Sequence, residues 1–273
     1  MADSLSGPLE PGSTIGILGG GQLGRMLALA AAPLGLKVHV YAPEAESPAA
    51  EVAAAHTRAA YDDQEALADF AAQVDVVTYE FENVPAATAA AVAALKPVRP
   101  GAKALDAAQD RVAEKDFVRM LGIGTAPYAA AATPDEARAA FAALGDKPAI
   151  VKTRRFGYDG KGQALVRNEK EAFAALKDLG GRPSVIERLV TFEREISVIV
   201  VRGEDGEMRF YDPVENVHQN GILAISRVPA HIHDACASEA RSIAGKIAQA
   251  LGHVGVLCVE MFKREGDIPR LLV

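Results

Sequence analysis

Lys152-Thr153-Arg154-Arg155-Phe156-Gly157-Tyr158-Asp159-Gly160-Lys161-Gly162-Gln163 is the stretch on which the reading of the fold turns. It leaves one apolar strand-like segment, Ala149-Ile150-Val151, and enters another, Ala164-Leu165-Val166. Glycines at 157, 160 and 162 leave backbone N–H groups uncovered, and Lys152, Arg154, Arg155 and Lys161 surround them with positive charge opposed only by Asp159. A cationic glycine loop between two strands suits the covering of a polyphosphate; a solvated basic hairpin turn explains it equally well. It is not a Walker A loop, which needs Lys followed by Ser or Thr at the start of a helix. A glycine hairpin over phosphates, with a lysine on a neighbouring strand, is the other common arrangement.

The rest of the chain must supply nucleotide, metal and acceptor sites if that reading is right. Its 273 residues predict two domains, and 49% hydrophobic content with alternating strand-like and helix-like segments predicts an α/β architecture. A net charge of −7 argues against nucleic acid as partner. Cys236 and Cys258 lie in apolar surroundings and read as small core residues of a reducing, cytoplasmic protein. No apolar run reaches the ~18 residues of a membrane span. Residues 1–13, rich in Ser, Gly and Pro, read as a flexible tail.

Thr14–Leu18 reads as a buried strand, followed by Gly19-Gly20-Gly21-Gln22-Leu23-Gly24 and a helical run. This strand–glycine turn–helix opens a Rossmann-like unit, and Gly19, Gly21 and Gly24 fit the dinucleotide fingerprint of an oxidoreductase. The second strand, Lys37–Tyr41, lacks the acid that would hold the adenosine ribose, since Ala42 and Pro43 follow it. A phosphate on the helix N-terminus, or plain strand–helix packing, remains open for the turn. Val74–Tyr79 is a further strand that delivers Glu80 and Glu82 to its carboxyl end, facing the same crevice as Gln22 or simply solvent.

Ala107–Leu121 reads as one amphipathic helix with Arg111, Lys115 and Arg119 on its polar, solvated side. Thr133-Pro134-Asp135-Glu136 is a capping box that starts a helix. Glu195 sits on a strand face with Ser197 and Ile199, where ribose hydroxyls or an arginine would satisfy it. His218 lies in a polar loop. Glu260 shares a strand face with Val256, Cys258 and Phe262, so it is expected among apolar groups, where Mg²⁺ bridging phosphates would suit it.

Taken in order, Gly19–Met26, Tyr79–Asn83, Gly157–Gln163, Asn216–Ile222 and Val254–Glu260 resemble the ATP-grasp superfamily, and within it the N5-carboxyaminoimidazole ribonucleotide synthetase family. The resemblance implies a Rossmann-like parallel sheet, the pre-ATP-grasp domain, over residues 14–104. An ATP-grasp α+β domain over 105–273 follows, with its glycine-flap subdomain at about 125–186 and a C-terminal part missing. It implies that Arg111 and Lys152 contact ATP phosphates under a flap formed by Gly157, Tyr158, Asp159, Gly160, Lys161, Gly162 and Gln163. Glu187, Arg188, Leu189 and Val190 would form the hinge whose backbone reads adenine. Glu195 would hold the ribose, with His218 beside the nucleotide, and Glu260 would bind Mg²⁺.

The same resemblance places the phosphate of 5-aminoimidazole ribonucleotide at Gly20, Gly21, Gln22 and Leu23. Glu80 or Glu82 would lie near its ribose or base, and Tyr158, Asp159 and Lys161 would reach it from the flap. The implied reaction is phosphoryl transfer from ATP to bicarbonate, then capture of the carboxyl group by the substrate amine, in a homodimer. Another ATP-grasp carboxylate–amine ligase, of the formate-dependent transformylase type, is the alternative. Family members continue past residue 273 with the second Mg²⁺ carboxylate, so the 273-residue chain alone is expected to turn over poorly.

Overall fold

The computed structural model describes residues 7–157, 162–219, 221–265 and 271–273. The flap positions Tyr158, Asp159, Gly160 and Lys161 lie outside the described residues, so nothing is placed for them. The chain divides into one unit of Met1–Asp106 with Gly252–Gly255 and another of Ala107–Leu251 with Val256–Val273.

The first unit holds β1 (Thr14–Leu18), α1 (Gln22–Ala31), β2 (Lys37–Tyr41), β3 (Ala55–Thr57), α2 (Gln64–Ala72), β4 (Val76–Tyr79), α3 (Ala86–Ala93) and the start of α4 (Ala102–Ala108). Its four strands are parallel in the order β3-β2-β1-β4, the half-sheet of a Rossmann-like fold. Short apolar runs suit these strands because helices cover a parallel sheet on both faces. Phe70 of α2 reaches β1 over Gly16: a Cβ added there would lie 2.6 Å from the Phe70 ring. On the next strand His39 is buried, its Nε2 2.8 Å from Thr57 Oγ1, and burial holds its imidazole below the ordinary range.

The second unit carries two sheets. After α5 (Arg111–Met120) come β5 (Tyr128–Ala131), α6 (Pro134–Ala143), β6 (Ala149–Thr153), β7 (Gln163–Val166), α7 (Glu169–Asp178) and β8 (Ser184–Arg188). These strands form an antiparallel sheet in the order β5-β8-β6-β7. Helices α6 and α7 bury Phe141, Ala172 and Leu176 against Val151 and Ile186. The sequence pattern holds here: Thr133 caps α6 by accepting from the Glu136 amide, and Asn168 caps α7 from the Glu171 amide.

The second sheet contains β9 (Arg194–Arg202), β10 (Met208–Phe210), β11 (Val214–Gln219), β12 (Ile222–Arg227), β13 (Gly255–Lys263) and β14 (Leu271–Leu272), with α8 (Asp234–Leu251) between β12 and β13 in sequence. Its order is β12-β11-β9-β13-β14, with β10 paired to β9. α8 packs Ala240, Ala244 and Ile247 into a core with Val198, Val200, Val259 and Met261. Among the described residues no helix is long and apolar enough to cross a membrane.

Two expectations are corrected here. The predicted helix over 107–121 is broken at Asp110, whose carboxylate caps α5 by accepting from the Val112 and Ala113 amides, so Arg111 is the first residue of a helix and not part of its middle. Cys258 and Glu260 are exposed, not core. The strand alternation was right about which residues share a face. The apolar core, however, takes the opposite set, Val259 and Met261, because α8 covers that side of the sheet.

Candidate active site

In the second unit Lys152 lies next to the end of β6, on the face of the sheet turned away from α6 and α7. The alternation of β6 buries Ala149, Val151 and Thr153 and leaves Ile150 and Lys152 on the opposite side. Register pairs Lys152 with Val185 and Ile150 with Glu187, which sets Lys152 diagonally across from Glu187. Its Nζ lies 3.0 Å from Glu187 Oε2, and a second ammonium, Lys115 of α5, lies 3.2 Å from the same oxygen. The three side chains are 19%, 8% and 12% exposed for Lys152, Glu187 and Lys115.

Three cations, Lys152, Lys115 and Arg111, meet two carboxylates here, because Glu114, which burial raises against the pull of Lys115 and Arg111, interacts with the same group. Burial raises the Glu187 carboxyl, but Lys152 and Lys115 outweigh it and hold the group below the usual carboxylate range. Lys152 is pushed below the usual lysine range by burial, with Lys115 and Arg111 adding to it and Glu187 opposing. Glu187 Oε1 is buried without a hydrogen-bond partner. A cluster left with surplus positive charge and a depressed ammonium is one that a polyanion would relieve.

The same face of α5 meets the sheet further along. Lys115 and Arg119 lie over the Tyr128 ring at 5.8 and 5.4 Å, and the Tyr128 hydroxyl donates to Asp116. The polar side of this helix, expected in solvent, is therefore turned onto β5 and β8. Lys115 is the residue that the sequence reading passed over. Its signal was available as the i, i+4, i+8 spacing of Arg111, Lys115 and Arg119, which puts them on one helix face.

The loop after β6 is rooted by the same elements. Arg111 Nη2 donates to the Gly157 carbonyl at 3.0 Å, its backbone N–H donates to the Arg154 carbonyl at 3.0 Å, and Thr153 N–H donates to Gly162 at 2.8 Å. Gly162 adopts φ +70°, and a Cβ there would lie 2.7 Å from Thr153 Oγ1, so this corner requires glycine. Arg154 grips Asp110 bidentately at 2.9 and 2.8 Å, and Arg155 lies 3.6 Å away. Burial raises Asp110, but Arg154 and the two capping amides bring it below its ordinary range. Asp110 thus pairs with Arg154, one of the cations counted around the glycine loop, and leaves Arg155 half exposed beside it; 44 residues separate Asp110 from Arg154, so no local pattern announced the pair.

Two backbone amides of the segment Glu187–Val190 have partners in the fold. Arg188 N–H donates to Pro127 and Leu189 N–H to Pro148, both at 2.8 Å, so neither amide is open to a base. Glu187 contributes its side chain to the lysine cluster. On the second sheet Glu195 of β9 contacts His218 Nδ1 of β11, and the neighbouring Asn216 donates to Ser197 at 3.0 Å and accepts from Ser226 at 3.0 Å. Glu260 lies on the exposed face of β13, and Gln163 is exposed at the start of β7. Among the described residues no group of three or more His, Cys, Asp or Glu side chains forms a metal cluster, so Glu260 would need phosphate oxygens and water to complete a magnesium shell.

In the first unit, Gly19, Gly20, Gly21 and the α1 start form the expected turn. Two of its amides are already taken: Gly21 N–H donates to Glu80 Oε1 at 2.6 Å and Gly24 N–H to Glu80 Oε2 at 2.7 Å. Glu82, Gln22 and Leu23 are exposed. The dinucleotide reading fails on geometry as well as on the missing acid. The approach over Gly20 is filled by Ser47 Oγ and the Ala42 methyl, 2.4 and 2.8 Å from where a Cβ would stand.

A lysine on an antiparallel sheet with a second on the helix beside it, an arginine at the root of a glycine loop and a preceding Rossmann-like unit fit the ATP-grasp class. Residues 116–271 match the ATP-grasp domain and residues 13–109 the ribonucleotide synthetase preATP-grasp domain. N5-carboxyaminoimidazole ribonucleotide synthase of Brucella melitensis is 48% identical over 256 residues, 93% of this chain and 70% of that protein. The synthetase structure from Thermus thermophilus superposes with a TM-score of 0.84 at 44% identity, covering 94% of this chain and 69% of that one. A structure from Aspergillus clavatus, in complex with ADP and 5-aminoimidazole ribonucleotide, has a TM-score of 0.84 at 32% identity, covering 96% and 69%. The chain belongs to the N5-carboxyaminoimidazole ribonucleotide synthase family of ATP-grasp proteins.

Proposed function

We propose that this protein carboxylates 5-aminoimidazole ribonucleotide with bicarbonate and ATP, giving N5-carboxyaminoimidazole ribonucleotide for purine synthesis. The observation that carries the reading is the Lys152–Glu187–Lys115 cluster beside Arg111 at the foot of the glycine loop. A bicarbonate oxygen attacks the terminal phosphorus of ATP, and the bond to the ADP oxygen breaks. The exocyclic amine then attacks the activated carboxyl carbon, phosphate leaves and the nitrogen loses a proton.

ATP with Mg²⁺ supplies the phosphoryl group and the charge neutralisation that makes its transfer feasible. The chain's own residues do the rest by position. Lys152 and Arg111 would grip the phosphates while Lys115 keeps Glu187 paired, and a loop closing from Gly157 to Gln163 would keep water from the activated carboxyl group. The backbone of Glu187 to Val190 would read adenine, Glu195 with His218 would take the ribose, and Glu260 would hold Mg²⁺. Glu80 lies at the acceptor turn with Gly20 to Leu23. No protein nucleophile is needed.

A homodimer in the cytoplasm with no nucleic-acid partner completes the proposal; the net charge of −7 supports the last point, and sedimentation checks the first. The test of function is phosphate release that requires ATP, bicarbonate and the ribonucleotide together. Lys152→Ala should abolish it, and Glu260→Gln should abolish it while leaving nucleotide binding measurable. Release indifferent to the ribonucleotide, or untouched in Lys152→Ala, would sink the reading.

A further inference from the structure

We infer that Asp110 is a positioning residue for the nucleotide: its one carboxylate both starts α5 and holds the root of the glycine loop, and so brings the Arg111 side chain to that loop. The inference deepens the ATP reading of Arg111 and rests on it for the word nucleotide alone. α5 opens on a cation, Arg111, at the end of the helix where the dipole disfavours positive charge. Asp110 offsets it from the N-cap. Its Oδ1 accepts from the Val112 and Ala113 amides at 2.9 and 3.3 Å and from Arg154 Nε at 2.9 Å, while its Oδ2 meets Arg154 Nη2 at 2.8 Å. Asp110 is buried, so this pair is stronger than one in open water.

The backbone fixes the same root. The Arg111 N–H donates to the Arg154 carbonyl and the Arg154 N–H to the Pro183 carbonyl, both at 3.0 Å, and Arg111 Nη2 reaches the Gly157 carbonyl at 3.0 Å. Between these two anchors Phe156 sits at φ +62°. A bulky residue keeps that conformation only where its surroundings impose it. The Phe156 ring is 66% exposed, so the anchors on either side impose it and packing of the ring does not. The amides of Arg111, Val112 and Ala113 are all taken, so a phosphate meets the Arg111 side chain and not the helix start. Asp110 therefore acts through Arg154 and Arg111, with no contact of its own to the ligand.

The test separates the two tasks of the carboxylate. Serine starts a helix about as well as aspartate but is too short to grip Arg154, so Asp110→Ser keeps the cap and removes the pair. Calorimetric titration of the full chain with Mg·ADP should show about tenfold weaker binding in Asp110→Ser. Arg154→Gln should weaken it to the same degree and the double variant no further, because either change removes the same contact. Asp110→Asn, which keeps the cap and an acceptor for Arg154 Nε, should recover most of the affinity. Losses that add in the double variant, or Asp110→Ser binding within about twofold of wild type, overturn the inference. So does tighter binding by Asp110→Ser, the mark of an Arg154 set free to hold phosphate itself. Arg154→Gln leaves the helix cap untouched and decides alone should Asp110→Ser fail to fold. Trypsin supplies a readout without nucleotide: cleavage after Arg154 in the folded chain should be severalfold faster in Asp110→Ser than in wild type. Equal rates overturn the inference, whereas a wild type that binds no nucleotide refutes the ATP reading and leaves the cleavage result standing.

Discussion

Replacing Lys115 with methionine should weaken ATP binding although Lys115 itself is assigned no phosphate. The reasoning starts from the shared oxygen: Glu187 Oε2 receives Lys152 at 3.0 Å and Lys115 at 3.2 Å, in a cluster whose members are all less than 20% exposed. When nucleotide binds, Lys152 must turn part of its charge to the phosphates. With Lys115 present, Glu187 keeps one full partner. Without it, Glu187 either holds Lys152 back or is left as a buried carboxylate with no cation. Leaving such a charged group unsatisfied costs about 1–3 kcal/mol, which is roughly five- to 150-fold in the dissociation constant of Mg·ATP. Calorimetric titration of wild type and Lys115→Met reads this directly. Lys115→Arg should recover most of the loss, and the double variant Lys115→Met/Glu187→Gln should lose much less than Lys115→Met, because the charge that needed a partner is gone. Lys115→Met binding within about twofold of wild type, the margin of ordinary additivity, would refute the reasoning.

Acid unfolding should carry the signature of the same pair. Glu187 is held below its ordinary value of 4.5, so its pairing contributes stability that is present above pH 4.5 and is lost as the pH falls through the lower folded-state value. The melting temperature should fall more steeply below that pH in the wild type than in Glu187→Gln; parallel curves would remove the pair from the account. In the first unit, Gly16→Ala drives a methyl group to 2.6 Å from the Phe70 ring and 3.1 Å from Val77. Overpacking of this kind costs about 1–3 kcal/mol, and a denaturant midpoint equal to wild type would show that the core yields more easily than the packing implies.

The order of the motifs carried the family from the sequence alone: a glycine turn after one strand, a glycine loop after another, and paired carboxylates at strand ends. Those features are local, since turns demand glycine where φ is positive and strands reveal themselves by alternation within a few residues. Charge pairing did not follow from them. Arg154 and Arg155 looked free and are bound to Asp110; Lys115 looked solvated and lies on Glu187; the glycine turn looked open and holds Glu80. On β13 the alternation grouped Cys258 with Glu260 correctly but could not tell which side α8 would cover.

By itself, then, the sequence determined most of the stretches that turn, extend and coil, the helix break at Asp110 and the strand through His218 excepted, because backbone preference and periodicity are written into neighbouring residues. Only the tertiary structure decided which charge answers which. That choice depends on segments brought together from 44 or 59 positions apart, and on the low dielectric in which they meet.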